Sequence, residues 1–317
     1  INFDLDIVNS VLGGGFNARL NTNLREDKGW TYGAGSGISS AIGPQVFQIS
    51  TSVQTDKTRE ALEEIKKELE DAVAQAPEDL DWNLWLGTAP ERPYKEGFYH
   101  PGAWRRIMDY GCGTLGDMGV HIFDTPYNAL ELDVPRTIMT ECREPTGFGY
   151  PENNTVTYEF PGTDYTADSL KWVWYDGPGA PPEHEDLKLP GGEALHDQGA
   201  MFLGEKGKLY LPHFMLEPKL IVDGQYKEMD VEKYNLGTPV RNYASEGPKH
   251  YHEFVDACLG KGETSAPFDY AARLTETILL GTIAGRFPGE TLHWDAEKAR
   301  FKEGKANQYL KGKYRRF

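Results

Sequence analysis

The segment GDMGVHIFDT contains the spacing in this sequence that most suggests chemistry. Asp117, His121 and Asp124 follow at intervals of four and three residues, so a helix would place all three on one face. An imidazole beside a carboxylate can take a proton from a substrate hydroxyl, and Gly116 and Gly119 would leave room for a ligand. The same spacing also fits a helix N-terminus with a capping aspartate and a structural histidine.

A second motif lies near the start of the chain, where Gly13-Gly14-Gly15-Phe16-Asn17-Ala18 fits the spacing G-x-G-x-x-A. In a dinucleotide-binding fold this turn follows a strand, and an acidic residue comes about 20 positions later. The residues before the glycines are instead typical of a helix, and Glu26 and Asp27 lie too close. We therefore favour a corner between two helices, with the phosphate-binding turn as the alternative.

Composition limits the class of protein and its partners. The formal net charge of −16 argues against nucleic acid and against anionic membranes as partners. Apolar residues make up 39% of the chain, enough for hydrophobic cores, and no apolar run has the length of a membrane span. Three scattered cysteines predict neither a disulfide framework nor a four-cysteine zinc site. The chain begins with Ile1, so we expect a piece of a longer, soluble protein of bacterial type, either cytoplasmic or exported.

The elements of residues 1–76 are predicted to follow the order helix, helix, strand, strand, helix. The strands correspond to WTYGAGSGIS and QVFQISTSVQ. The last helix begins near Thr55 or Asp56, and its apolar stripe is predicted to comprise Leu62, Ile65, Leu69 and Val73. All eight histidines and six of the seven tryptophans follow this piece, which indicates a separate domain beyond it.

Residues 77–317 predict an α+β domain. The strands TVTYEF, LKWVWYD, AMFLGEKGKLYL and PKLIVDGQYKEM contain hairpin turns at Gly-Glu-Lys-Gly and Asp-Gly, which favour antiparallel pairing. Helices are expected around GDMGVHIFDT, HYHEFVDACL and YAARLTETILLGTIAGR. We therefore predict a largely antiparallel open sheet with helices on one face, preceded by a small ααββα half-domain.

The first piece resembles a known peptidase family. The run LGGGFNARLNTNLREDKGWTYGAGSG, within residues 1–76, is similar to the C-terminal-type domain of pitrilysin/insulinase zinc peptidases. The resemblance implies that Arg25 and Tyr32 lie near a substrate backbone and help to hold the scissile carbonyl. Alternatively, Arg25 pairs with Glu26 or Asp27, and Tyr32 is an ordinary strand residue. The family's zinc motif, H-x-x-E-H, does not occur in this chain, so we predict no zinc site.

From about residue 78 to 317 the chain resembles the C-terminal half of Gfo/Idh/MocA-type oxidoreductases. The resemblance is carried by LDWNLWLGTAPERPY, YHPGAWRRIMDYGCGTLGDMGVHIFD, FDYAARLTETILLGTIAGR and LHWDAEKARF. It implies that Asp117 contacts a sugar or polyol, with Asp124 nearby, and that His121 assists the proton transfer accompanying hydride transfer to NAD or NADP. It also implies that Trp104 and Arg105 line the pocket, although a surface arginine against a half-buried indole is the alternative.

The two resemblances together predict an apparent chimera, with a peptidase-like partial domain at 1–76 and a substrate domain, truncated at its start, at 77–317. The family's nicotinamide-binding domain and its Glu-Lys-Pro motif are not found in the sequence. We therefore expect the substrate-binding portion of an oxidoreductase, inactive alone, able to form homo-oligomers through the open sheet face. The alternatives are a non-metal subunit or fragment of a zinc peptidase and a non-catalytic binding or assembly module.

Overall fold

The computed structural model describes residues 9–10, 12–38, 46–72, 76–99, 102–213, 216–229, 243–312 and 314–315. These residues divide into two compact units. The first unit comprises the chain up to Gly111 together with Thr146–Gly149 and the residues from Gly312 onward. The second comprises Cys112–Pro145 and Tyr150–Lys311. The domain boundary that the sequence places between residues 76 and 77 stays a prediction.

The first unit begins with helical turns and a β-hairpin. Its elements are α1 (Arg19–Asn21), which continues as a π-helical turn (Thr22–Asp27), β1 (Thr31–Ile38), β2 (Phe47–Val53) and α2 (Thr58–Ala72). Strands β1 and β2 pair antiparallel, with Ser36 opposite Ile49. The predicted order of strand, strand and helix is confirmed, while most of the helix predicted before the glycines lies outside the described residues.

The glycine corner is explained by the close approach of β1. The amide of Ser36 donates to the carbonyl of Gly13 at 2.9 Å. A Cβ atom on Gly13 would lie 2.6 Å from the Ser36 hydroxyl oxygen and would collide with the Ser36 amide nitrogen. Asn9 and Ser10, just before the glycines, are helical, and the strand that follows is antiparallel to its neighbour. The alternative of a dinucleotide-binding turn is therefore wrong for these residues.

Helix α2 packs through a face different from the one predicted. Leu62 is 62% exposed, whereas Ala61 and Glu68 are buried. The Glu68 carboxylate accepts from the Arg19 guanidinium at 2.5 Å and from the Asn23 amide at 2.6 Å. The predicted apolar stripe is therefore wrong at Leu62, because polar contacts to the preceding helical turns determine which face of α2 is buried.

The remainder of the first unit is rich in aromatic side chains. Helix α3 (Trp82–Leu86) is capped by Asp81, whose carboxylate accepts from the Leu84 amide at 2.9 Å. A short 3-10 turn, Ala103–Arg106, follows further along the chain. Half-buried and buried rings pack together in this part of the unit, namely Trp82, Trp85, Phe98, Tyr99, Tyr110 and Phe148.

The described part of the second unit contains three α-helices and two antiparallel sheets. Its helices are α4 (Gly113–Ala129), α5 (Tyr243–Cys258) and α6 (Phe268–Ala284). A five-stranded sheet has the order β11-β10-β3-β4-β5, and its strands are β3 (Thr137–Glu141), β4 (Asn154–Pro161), β5 (Ser169–Asp176), β10 (Thr291–Asp295) and β11 (Arg300–Phe301). A four-stranded sheet has the order β6-β7-β8-β9, from β6 (Gly199–Gly204), β7 (Gly207–Pro212), β8 (Lys219–Val222) and β9 (Gln225–Lys227).

The predicted α+β class and antiparallel pairing are confirmed. Both predicted hairpin turns occur, and Asp223 and Gly224 have the positive φ angles of 52° and 73° that a two-residue hairpin turn favours. The prediction of a single open sheet in this part of the chain is wrong, because the strands form two separate sheets. The proline- and glycine-rich segment 177–198 carries the chain away from the first sheet before the second begins.

The core of the second unit lies between the five-stranded sheet and the helices α4 and α6. Its largest fully buried side chains include Phe123 and Tyr127 from α4 and Tyr158 and Phe160 from β4. Burial of these rings fixes the rotation of α4, because a helix cannot turn without exposing them. The opposite face of α4 is thereby directed outward, and this is the face that carries the predicted site residues.

Candidate functional site

Helix α4 carries all three residues of the predicted aspartate–histidine motif. Asp117 is half-buried, while His121 and Asp124 are exposed. Because α4 is one continuous helix from Gly113 to Ala129, the three residues share a face as the spacing predicts. An exposed imidazole one turn from a half-buried carboxylate can exchange a proton with a hydroxyl group that approaches from solvent.

Asp124 is held by Tyr270, a residue outside the predicted motif. The Tyr270 hydroxyl, at the start of α6, donates to the Asp124 carboxylate at 2.7 Å and lies 3.0 Å from its backbone carbonyl. Burial and this hydrogen bond both raise the pKa of Tyr270 above its ordinary value, so the hydroxyl keeps its proton and remains a donor. Tyr270 therefore orients the carboxylate at the end of the motif.

The glycines of the motif serve packing within the fold. A Cβ atom on Gly119 would lie 3.2 Å from the side chain of Ile278, so this glycine permits the close approach of α4 and α6. A Cβ atom on Gly116 would collide with Cys112, which lies one turn earlier. The prediction that these two positions make room for a ligand is therefore wrong, because protein atoms already surround them.

A second histidine lies beside the first. The ring of His213, which directly follows β7, lies 6.3 Å from the ring of His121 between centroids, with an angle of 52° between the ring planes. Burial lowers the pKa of His213 below its ordinary value, and the nearby His121 lowers it further. Sequence spacing gave no signal for this pair, because 92 residues separate its members.

Trp104 and Arg105 lie in the first unit, whereas Asp117, His121 and Asp124 lie in the second. Both belong to the 3-10 turn Ala103–Arg106. Trp104 is 39% exposed and Arg105 is also exposed, so both side chains are accessible to solvent. Their assignment to a substrate pocket stays a prediction.

Arg25 and Tyr32 both lie in the first unit, on neighbouring elements. The Arg25 guanidinium lies 3.3 Å from the Glu26 carboxylate, and its carbon is 4.6 Å from the centre of the Phe16 ring. The pairing with Glu26 is one of the two alternatives that the sequence raised. Tyr32 is fully exposed on β1. Their role in holding a peptide carbonyl stays a prediction.

The described ranges show neither a cluster of metal-binding side chains nor a membrane-spanning helix. Over these residues, no group of three or more His, Cys, Asp or Glu side chains is arranged to hold a metal ion. None of the helices described there is long and apolar enough to cross a membrane. The Gly13 corner does not have the features of a nicotinamide dinucleotide site, because Gly13 packs directly against Ser36 of an antiparallel strand.

Helix α4 thus places two carboxylates and an imidazole on one face of an α+β domain, and comparisons with known proteins give its relationships. Residues 52–146, which include all of α4, match a family model of Gfo/Idh/MocA type. This model is described as "Oxidoreductase family, C-terminal alpha/beta domain". Residues 2–83 match the model described as the peptidase M16 inactive domain. Both family resemblances seen in the sequence are thus confirmed, and the segment 52–146 is similar to an oxidoreductase-type domain.

Similarity to whole proteins is more limited. A comparison with curated proteins gave no match. Among solved structures, an NAD-binding protein from Listeria innocua is similar at 16% sequence identity with a TM-score of 0.38, over 61% of this chain. The chain spans about half the length of that structure, 51%.

Proposed function

We propose that residues 77–317 form the substrate-binding part of an NAD(P)-dependent oxidoreductase that acts on a sugar or another polyol. The observation that carries this proposal is the face of α4, where Asp117, His121 and Asp124 stand within the segment that matches an oxidoreductase family. Polyols present several adjacent hydroxyl groups, and this face offers several hydrogen-bonding side chains in a row.

In this proposal each side chain has a separate task. His121 accepts the proton of the substrate hydroxyl that becomes a carbonyl, because an imidazole changes its protonation state near neutral pH. Asp117, one turn earlier on the same face, binds a neighbouring hydroxyl. Asp124, oriented by Tyr270, binds a further hydroxyl.

The nicotinamide has to be held by residues other than the glycine corner. All the strand pairs described are antiparallel, whereas a dinucleotide-binding fold has parallel strands with helices between them. We therefore propose that a separate domain or chain presents the nicotinamide to α4 and that this chain alone has no dehydrogenase activity.

Calorimetric titration tests the substrate site. We expect D-glucose or myo-inositol to bind the full chain, and His121→Gln and Asp117→Asn each to weaken binding by about tenfold, since each removes a hydrogen bond to the ligand. His184→Gln serves as the matched control, because His184 lies on an exposed loop and pairs with Asp186. Equal affinities for all four proteins would contradict the site assignment, and turnover by the chain alone with NAD or NADP would contradict the need for a second component.

A second candidate function is favoured by the match of residues 2–83 to an inactive peptidase domain. In this case the chain is a non-metal subunit that presents peptides to a zinc-bearing partner through Arg25 and Tyr32. The full exposure of Tyr32 on β1 is compatible with contact to a peptide. Co-purification with a protein containing H-x-x-E-H supports this function, and unchanged peptidase activity of the assembled pair after Arg25→Ala and Tyr32→Phe argues against it.

A further inference from the structure

His213 is positioned by the backbone of the four-stranded sheet. Its amide donates to the carbonyl of Gln198 at 3.0 Å. The last paired residues of β6 and β7 are Gly199 and Pro212, so this hydrogen bond extends the pairing by one residue. Strand β6 lies in contact with α4. The small sheet therefore delivers the His213 ring to the helix that carries the proposed site.

The spacing of the two imidazoles suits a shared ligand atom. Two rings joined directly by a hydrogen bond would lie closer than the 6.3 Å that separates the centroids of His121 and His213. A single hydroxyl oxygen that hydrogen-bonds both rings at about 2.8 Å would give a centroid separation of this size. His121 is exposed and His213 is half-buried, so a ligand reaches the pair from the side of His121.

We infer that His213 is a second substrate-binding residue of the site on α4 and that it shares one hydroxyl of a sugar or polyol with His121. This inference rests on the proposed function, because it specifies a contact within the same site. It gives the four-stranded sheet a role in recognition of the ligand, in addition to its own folding.

The ionisation of His213 supports this role. Burial, and then the neighbouring His121, lowers the pKa of His213, so its ring is neutral at pH 7. A neutral imidazole offers one donor and one acceptor nitrogen, which is the combination that a hydroxyl group requires. A pair of positively charged rings would instead repel each other and offer a hydroxyl only donors.

The first part of the test needs no ligand. The ring resonances of the eight histidines are assigned by single His→Gln variants of the full chain, and their pKa values are followed by NMR. We expect the pKa of His213 to rise in His121→Gln, because a like charge is removed, and to stay unchanged in the matched variant His184→Gln. An unchanged pKa of His213 in His121→Gln would overturn the inference.

The second part uses D-glucose and myo-inositol as probes. We expect both His121 and His213 resonances to shift on binding, and His213→Gln and His213→Asn to weaken binding by about three- to tenfold. His196→Gln is the control, because the His196 ring stacks on Tyr210 within the same sheet region. If the probes shift His121 but leave His213 and the affinity of its variants unchanged, the inference fails and the proposed function stands. If neither ring responds, both fail.

Discussion

At the scale of single residues, Gly281 and Tyr158 are fitted to each other. A Cβ atom on Gly281 would collide with the Tyr158 hydroxyl and would lie 2.7 Å from the side chain of Leu115. We expect Gly281→Ala to lower the free energy of unfolding by about 1–3 kcal/mol through overpacking. Gly304→Ala is the matched control, because Gly304 is exposed at the start of a 3-10 turn with open space around it, and alanine there should change the free energy of unfolding by about 0.5 kcal/mol or less.

A double-mutant cycle identifies the cause of this effect. The Tyr158 hydroxyl is fully buried without a hydrogen-bond partner in the described structure, so Tyr158→Phe should cost little. In that background Gly281→Ala should be less damaging, as measured by urea denaturation. Additive effects of the two substitutions on the free energy of unfolding would show that a clash with the Tyr158 hydroxyl is not the cause.

The buried carboxyl of Asp176 should make the free energy of unfolding depend on pH. Burial raises the pKa of this carboxyl above its ordinary 3.8, although Trp174 and Asn154 donate hydrogen bonds to it at 2.6 and 2.9 Å. Because the folded state binds the proton more tightly than the unfolded state, this group stabilises the fold at low pH, and the contribution is lost as pH rises from about 4 through the folded pKa. Denaturation measured over a range of pH should show that the wild-type protein loses this contribution as pH rises, whereas Asp176→Asn does not. Parallel pH profiles of the free energy of unfolding for the two proteins would contradict the prediction.

Single residues also show what the sequence was able to predict. The α4 motif was identified because all its members lie within eight residues of one helix, where spacing determines the shared face. His213 and Tyr270 were missed, since each reaches α4 only through the tertiary fold, and no local pattern records a contact across 92 or 146 residues. Gly119 was misinterpreted for the same reason, because the residue that faces it, Ile278, comes from another helix.

At the scale of elements, α2 is attached by polar contacts that its sequence did not reveal. The Glu68 side chain is only 10% exposed and binds Arg19, whereas Glu63 on the same helix is 65% exposed and binds Arg59. We expect Glu68→Gln to destabilise the first unit by about 1–3 kcal/mol, since it removes the charged partner of a largely desolvated contact. Glu63→Gln should change stability by about 0.5 kcal/mol or less.

Hydrogen exchange over residues 58–69 distinguishes this prediction from a general loss of stability. Protection of the α2 amides should fall in Glu68→Gln and persist in Glu63→Gln. Equal protection in the two variants would mean that apolar contacts alone hold the helix.

Elements with strong periodicity were predicted well, and short elements were not. Helix α4 and the hairpins around Gly204–Gly207 and Asp223–Gly224 follow from helical spacing and turn residues. Strands β3, β10 and β11 were missed because they span five, five and two residues and gain their order from pairing with distant strands. Pairing between strands that lie far apart in the sequence depends on how their side chains pack in the core. The division of the strands into two sheets was not predicted from the sequence for the same reason.

At the scale of the whole molecule, the five-stranded sheet offers one face for association. Its inner face carries Val156 and Tyr158, both buried, so the alternating residues point away from the core. On that outer face Val173 lies opposite Thr157, which lies opposite Met139 on the next strand. A half-buried row of this kind, within an open face, is suited to pairing with a second copy of the chain.

We therefore expect the chain to form a homo-oligomer through this outer face, and light scattering coupled to gel filtration measures its mass. Val173→Glu should shift the protein to a monomer, because a carboxylate at the β5 end of this half-buried row would have to be desolvated on association. Tyr165→Glu, in the exposed turn between β4 and β5, adds the same charge away from the row and should leave the mass unchanged. A wild-type protein that remains monomeric at all concentrations, or a Val173→Glu variant that associates as the wild type does, would show that this face is not the interface. Circular dichroism of the monomeric variant is the folding control, because an unchanged spectrum would show that the interface is lost while the fold is retained.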